Sequence, residues 1–305
     1  MSLNIRGVGQ DGKLNWLQKL CRMEKPWILC LQETKSGEIE DRWFHKFWGS
    51  VDYKYIEKYA EGFSGGMITI WDSNIFNVNQ AVEGEYLLAI KGHFQGYDTE
   101  VAVVNVYGPH TTAKKIRCWS GLESLLSYGD IPWIICGDFN DVREPSERFN
   151  SVFKQNWAGM FNQFINNNCL IEIPLGGKKY TRICDNGVKF SKLDRFLISE
   201  ETQLIWPNLS ATTLDKHLSD HCSIILRNGS KDFGPKPTLV FNEWLRLEEA
   251  EKVIIEAWNI PATSVWPDCV FRDKLKNVKV SLKRHSSSLN NLEEQILQHS
   301  KAASE

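Results

Sequence analysis

Along residues 1–226, short apolar runs rich in β-branched and aromatic residues alternate with stretches of helical periodicity. The runs "WILCLQ" (27–32), "GGMITIW" (65–71), "EYLLAIKGHF" (85–94), "EVAVVNVYG" (100–108), "WIICGDF" (133–139), "KLDRFLIS" (192–199) and "CSIIL" (222–226) predict strands. Within 114–128, Ile116, Trp119, Leu122, Leu125 and Leu126 recur at helical spacing. "KQNWAGMFNQFI" likewise sets Trp157, Met160, Phe161, Phe164 and Ile165 on one helix face. Several strand runs lie too close together for a crossover helix, so antiparallel pairs accompany the alternation. The pattern defines an α/β fold with mixed sheets.

After Leu226 the pattern changes. "RNGSKDFGPKP" (227–237), with Gly229, Gly234, Pro235 and Pro237, reads as a linker. Beyond it Leu275, Val278, Leu282, Leu289, Leu292 and Ile296 follow a 3-4 spacing, broken where His285 falls on the stripe. That spacing predicts a helix with a narrow apolar seam, short enough to favour docking on its own chain over pairing with a second helix. Residues 272–284 carry Arg272, Lys274, Lys276, Lys279, Lys283 and Arg284 against the single acid Asp273. They form either a solvated helix face or a phosphate-backbone contact.

Composition narrows the class. A chain of 305 residues, 42% hydrophobic and 24% charged, reads as a soluble protein with one large domain and an extension. A domain of roughly 220 residues buries about 70% of its unfolded surface and needs no disulfide or metal to fold. The formal charge of -2 excludes a uniformly basic nucleic-acid binder and leaves room for a local basic face. The 8 cysteines show no CxxC spacing and have mostly apolar neighbours. They predict buried thiols in a reducing, intracellular compartment, nuclear or cytoplasmic. No apolar run reaches the roughly 18 residues of a membrane span, and the N-terminus lacks a signal-peptide core, so the Asn208 and Asn228 sequons read as chance.

Polar groups gather at the strand boundaries. "SLNIRG" offers Asn4; "ILCLQET" offers Gln32 and Glu33; "NVYGPH" offers Asn105, Tyr107 and His110. "ICGDFN" offers Asp138 and Asn140, "LSDHCSIIL" offers Asp220 and His221, and "SKLDRFLIS" holds Asp194 in a strand-like run. Each alone reads as a turn, a loop opener or plain strand. Together, in order and each at a strand end, they suggest one site. Glu33, Asp138 and Asp220 are hard oxygen donors without a Cys or His cluster, which favours Mg²⁺ over Zn²⁺. A histidine held by a carboxylate serves as acid, base or phosphorane stabiliser, and Asn orients a water or phosphate oxygen without adding charge. The set suits metal-assisted phosphodiester hydrolysis. No GxSxG marks a serine nucleophile.

In order, "NIRG", "LQET", "NVYGP", "GDFN", "SKLDRFLIS" and "SDHCSIIL" resemble the motifs of the endonuclease/exonuclease/phosphatase superfamily, the DNase-I-like fold. The nearest resemblance is to the endonuclease domain of plant LINE-type (non-LTR) retrotransposons, through "PSERFNS" (145–151), "IPLGGKKYT" (173–181) and "DFGPKPTLVFNEWL" (232–245). It covers about residues 1–245. It implies a four-layer α/β sandwich, two face-to-face mixed β-sheets flanked by helices, with the site at one edge. The catalytic domain would span 1–226, and 227–305 would be the linker and helical tail that precede a reverse transcriptase absent here.

The implied activity is a Mg²⁺-dependent DNA endonuclease, with Mn²⁺ as the alternative ion, acting on DNA with no membrane and no obligate protein partner. Glu33 would be the main metal ligand, helped by Asn4 and Asp220. Asp138 would deprotonate the attacking water and Asn140 position it; Tyr107 would contact the scissile phosphate. His221, oriented by Asp194, would stabilise the pentacovalent transition state. Asn105, His110, Thr181 and Arg182 would contact substrate. The first strand is cut short, with Met1, Ser2 and Leu3 alone before Asn4. "YTR" puts Arg182 where relatives read an aromatic, which removes a stacking contact. The rivals are an abasic-site repair endonuclease and a non-catalytic remnant that binds nucleic acid or a partner through its basic tail.

Overall fold

Two stacked β-sheets form the centre of the protein, seen in a computed structural model that describes residues 1–9, 12–37, 41–61, 64–129, 131–184, 187–229, 250–261, 267 and 269–282. In chain order the strands are β1 (Ser2–Asn4), β2 (Ile28–Gln32), β3 (Tyr53–Glu61), β4 (Ser64–Asp72), β5 (Phe76–Glu83), β6 (Leu87–Phe94), β7 (Glu100–Tyr107) and β8 (Trp133–Asp138). They continue as β9 (Arg148–Phe149), β10 (Ile171–Glu172), β11 (Leu175–Gly176), β12 (Arg182–Ile183), β13 (Phe190–Ser191), β14 (Asp194–Ile198), β15 (Leu209–Thr213) and β16 (Ile224–Asn228). The helices are α1 (Lys13–Glu24), α2 (Asp41–Trp48), α3 (Thr112–Leu126), α4 (Gln155–Asn167) and α5 (Glu200–Ile205). One sheet runs β11-β15-β16-β1-β2-β4-β3, the other β10-β14-β8-β7-β6-β5, and a small third runs β12-β13-β9. Both large sheets are mixed, with β1/β2 and β7/β8 parallel among antiparallel neighbours. This is the DNase-I-like α/β sandwich.

Strand periodicity explains the layering. In β8, Trp133 and Ile135 point to the outer face under α3 and α4, where Trp119, Phe161 and Phe164 pack. Ile134 and Cys136 point inward and meet Ile28, Cys30, Phe196 and Ile224 between the sheets. On the far side Leu29 and Leu31 of β2 and Ile68 and Ile70 of β4 lie beneath α1 and α2, against Leu17, Phe44 and Phe47.

Several sequence expectations shift. Ile116 is 52% exposed, and its neighbour Lys115 is the buried residue of that turn of α3. β3, β5 and β15 escaped notice because they are polar; "FNVNQAVE" of β5 buries little beyond Phe76. β16 continues through Arg227 and Asn228, paired with β15, so the strand takes the first two residues assigned to the linker. Cys21, Cys30, Cys118, Cys136 and Cys222 are buried, whereas Cys169 is exposed at the end of α4, where its φ of 49° turns the chain.

The chain divides into compact units 1–230 and 231–305. In the second, Ala250–Asn259 and 269–282 are helical. Leu282 is buried but Leu275 is 49% exposed, so the expected seam does not hold along its described part. Lys283, Arg284, Leu289, Leu292, Ile296 and most of the linker lie outside the described residues. No helix among the described residues is long and apolar enough to cross a membrane.

Candidate active site

The layer between the sheets changes character at one end. Inward positions that are apolar at mid-strand become polar at the next inward position: Cys30 then Gln32, Val103 then Asn105, Cys136 then Asp138, Phe196 then Asp194. Register aligns these ends, because Tyr107 faces Asp138, Asp138 faces Asp194, and Asn4 faces Gln32. Asp138 and Asp194 therefore arrive side by side at one edge of the sandwich, while Asn105, opposite Cys136, lies one inward position short of it.

Gly137 lies within β8 at φ 144°. A Cβ there would sit 1.9 Å from the Val106 carbonyl oxygen, so only glycine lets β8 approach β7 this closely. Its place in the strand is what carries Asp138 to the site edge.

His221 lies between two carboxylates. Its Nδ1 is 2.8 Å from Asp194 Oδ2 and its Nε2 is 3.7 Å from Asp138 Oδ2, with all three side chains at most 4% exposed. Burial alone lowers an imidazole pKa, but the charges of Asp194 and Asp138 overcome it and raise His221 to about 9. Burial pushes Asp138 the other way, up to about 6, against the pull of His221 and with the support of Asp194. At neutral pH the imidazolium is thus held by Asp194, with Asp138 ionised beside it.

A second cluster adjoins this one through Asn4. Its Nδ2 donates to Asp138 Oδ2 at 2.9 Å and to Glu33 Oε2 at 3.0 Å, while its Oδ1 accepts from the Arg6 amide at 3.1 Å. This network fixes the amide orientation. In this orientation Asn4 presents its NH₂ to the two carboxylates and its Oδ1 to the Arg6 amide. The other oxygen of Glu33 pairs with Lys35 at 2.8 Å. Burial raises the pKa of Glu33, but its hydrogen bonds to Lys35 and Asn4 prevail and lower it.

Asp220 Oδ2 lies 3.2 Å from Arg6 and 3.1 Å from Arg182. Against its burial, His221 and Arg182 hold the Asp220 carboxyl below its ordinary value. Arg6, Glu33, Lys35 and Asn140 all adopt positive φ, between 51° and 54°. Such non-glycine conformations are tolerated where the surroundings determine them, and they concentrate at functional sites.

The remaining expected residues divide. Asn140 bends back, its amide N–H donating to Asp138 Oδ1 at 2.9 Å and its side chain to the Gly108 carbonyl at 2.8 Å. Tyr107 is half-buried, and burial together with the charges of Glu33 and Asp138 raises its hydroxyl pKa, keeping it a proton donor. His110 is exposed and edge-on to Tyr107.

Asn105 and Thr181 are corrections to the substrate-contact set. Asn105 is fully buried: its amide donates to the Leu31 and Ile68 carbonyls and Thr69, and its oxygen accepts from Gln32 at 2.7 Å. It ties β7 to the opposite sheet. Thr181 is equally buried, its hydroxyl accepting from the Leu193 and Asp194 amides at 2.9 and 3.0 Å. It positions Asp194 and has no exposed surface to offer substrate.

Sequence reasoning passed over Arg6, Lys35, Ser219 and the buried Lys115–Asp141 pair. Ser219 accepts from the His221 amide and donates to the Asn4 carbonyl, joining the two clusters. Lys115 Nζ lies 2.6 Å from Asp141 Oδ2 and 3.3 Å from the Asn140 carbonyl, bracing the loop after β8. The adjacent positions in "NIRG", "QETK" and "GDFND" were the available signals.

The donors fit a hard divalent cation. Glu33 and Asp220 offer carboxylate oxygens, and Asp220 Oδ1 is buried with no hydrogen-bond partner. Asp138, Asp194 and His221 also bring ligand-type atoms within 4.8 Å of one another.

The fold and this clustering of carboxylates around a histidine define the DNase-I-like class. The model of the Endonuclease/Exonuclease/phosphatase family matches residues 1–221, and the chain belongs to that family. Among solved structures it is similar to an AP endonuclease from Leishmania major (15% identity, 74% of this chain and 85% of that one, TM-score 0.58). A 3′ phosphatase from Neisseria bound to a product DNA hairpin is similar as well (15% identity, 75% and 98% covered, TM-score 0.59). So is an AP endonuclease from Archaeoglobus fulgidus (17% identity, 74% and 97% covered, TM-score 0.54).

Proposed function

We propose that residues 1–226 are the catalytic domain of a divalent-metal-dependent DNA endonuclease that nicks target DNA in a retrotransposon-type reaction. The observation that carries the hydrolytic part is the Asp138–His221–Asp194 arrangement beside Glu33 and Asp220. The retroelement part rests on the resemblance of residues 145–151, 173–181 and 232–245 to that branch.

In this reading Glu33 and Asp220, helped by Asn4, would hold Mg²⁺ or Mn²⁺, and Asn4 also links Glu33 to Asp138. Such an ion, when bound, would supply Lewis-acid stabilisation of charge on the phosphate. Asp138, ionised above about pH 6, accepts the proton of the attacking water. Asn140, held by Gly108, fixes the loop that aims it. His221, protonated and kept in one orientation by Asp194, donates to the phosphoryl oxygens as negative charge develops. Tyr107 and His110 line the approach, and Arg182 and Arg6 offer charge to the backbone.

Nicking of intact supercoiled plasmid compared with cleavage of an abasic oligonucleotide tests the reading. Cleavage of both, leaving 3′-hydroxyl ends, supports it; cleavage of the abasic substrate alone assigns the protein to repair instead. Binding of DNA without cleavage of either would make it a non-catalytic module.

A further inference from the structure

The cations around Asp220 carry an inference that rests on the metal-dependent reading above. Arg6 and Arg182 converge on the same oxygen, Oδ2, while the buried Oδ1 has no partner. The backbone of Arg182 is anchored beside Asp220 and His221. Its backbone bridges to His221, the Ile183 amide donates to the Asp220 carbonyl at 2.8 Å, and the Cys222 amide donates to the Thr181 carbonyl at 2.7 Å. Its guanidinium is nevertheless 40% exposed, within reach of an ion or a phosphate.

We propose that Arg182 couples cation binding to substrate binding: it weakens the hold of Asp220 on a divalent cation in the DNA-free protein and transfers its guanidinium to a phosphodiester when DNA arrives. A fixed positive charge on one oxygen of a carboxylate opposes a cation at the other. At a separation of about 6 Å this repulsion is worth at least about tenfold in affinity, the figure that the dielectric of water alone would give. A phosphodiester offers the guanidinium charge-assisted, bidentate hydrogen bonds, so it draws Arg182 from Asp220 and returns that carboxylate to the cation. Cation and DNA then strengthen each other's binding reciprocally.

The test is isothermal titration of the DNA-free protein with Mn²⁺ in four forms: wild type, Arg182→Gln, Arg182→Lys and Asp220→Asn. Arg182→Gln is expected to bind Mn²⁺ at least about tenfold more tightly, and Arg182→Lys, which keeps the charge, close to wild type. In EDTA, Arg182→Gln should bind duplex DNA more weakly, with the salt slope reduced by about 1. A residue that merely braces the 181–183 segment would instead lower Mn²⁺ affinity and the thermal transition together. Unchanged or weaker Mn²⁺ binding by Arg182→Gln overturns the proposal if Asp220→Asn loses affinity. If Asp220→Asn binds as wild type does, the metal-site reading itself fails, and this proposal with it.

Discussion

Asp138 and Asp194 face each other across the antiparallel β8/β14 ladder, and His221 occupies the space between their carboxylates. The pairing makes Asp194 the determinant of His221 protonation. Asp194→Asn keeps the shape but removes that charge, so the His221 pKa should fall well below about 9, as read by imidazole NMR. Nicking should fall by roughly 10²- to 10⁴-fold, in the range of a lost acid–base contribution. An unmoved His221 titration would break the link.

The two raised pKa values bound the activity. Asp138 must be ionised to accept a proton, so the rate rises as pH passes through about 6. His221 must be protonated to stabilise the phosphorane, so the rate falls as pH passes through about 9. A bell-shaped kcat/KM profile of the enzyme follows. For stability, a histidine pKa raised by folding contributes fully below about 6.5, and that contribution disappears as pH rises through about 9. The stability advantage of wild type over His221→Gln, from urea titrations, should therefore shrink across that interval.

Much of the site was legible because strand-end polar residues have no packing reason to be there. Asp138, Asp194, Asp220, His221 and Glu33 stand out from motif order alone; the structure brings Asp138, Asp194 and His221 within 4.8 Å of one another, and Asn4 links Asp138 to Glu33. Asn105 misled for the same reason: one inward position before the edge, a polar side chain looks identical in sequence but faces the opposite sheet. Lys115 was hidden because helical periodicity selects apolar residues, and its burial depends on Asp141 of a distant loop. The polar edge strands β3 and β5 took their identity from pairing partners rather than from their own periodicity.

The inter-sheet amide should be a stability residue. Asn105→Ala leaves the Leu31 and Ile68 carbonyls and Gln32 without their partner inside the sandwich. An expected loss of about 3 kcal/mol, from desolvated groups left unpaired, should appear in denaturant titration. Mn²⁺ affinity of the folded fraction should stay near wild type.

Gly137→Ala tests how closely β8 must approach β7. Its Cβ meets the Val106 carbonyl at 1.9 Å and its φ of 144° is unfavourable for alanine. A loss of about 4 kcal/mol or more in the chemical-denaturation midpoint analysis is expected, among the largest single-substitution effects. A near-neutral effect would mean the two strands can part without cost.

Metal-assisted hydrolysis of phosphodiester bonds at this edge of the sandwich is open to direct measurement. The direct measurement is conversion of supercoiled plasmid to open circles with Mg²⁺ or EDTA, in wild type, Asp138→Asn and His221→Ala, each checked for a cooperative thermal transition. Wild type is expected to nick in a Mg²⁺-dependent way, with 3′-hydroxyl ends, and both folded variants to lose that activity. Nicking that persists in EDTA, or that survives both substitutions, would contradict metal-assisted hydrolysis at this edge.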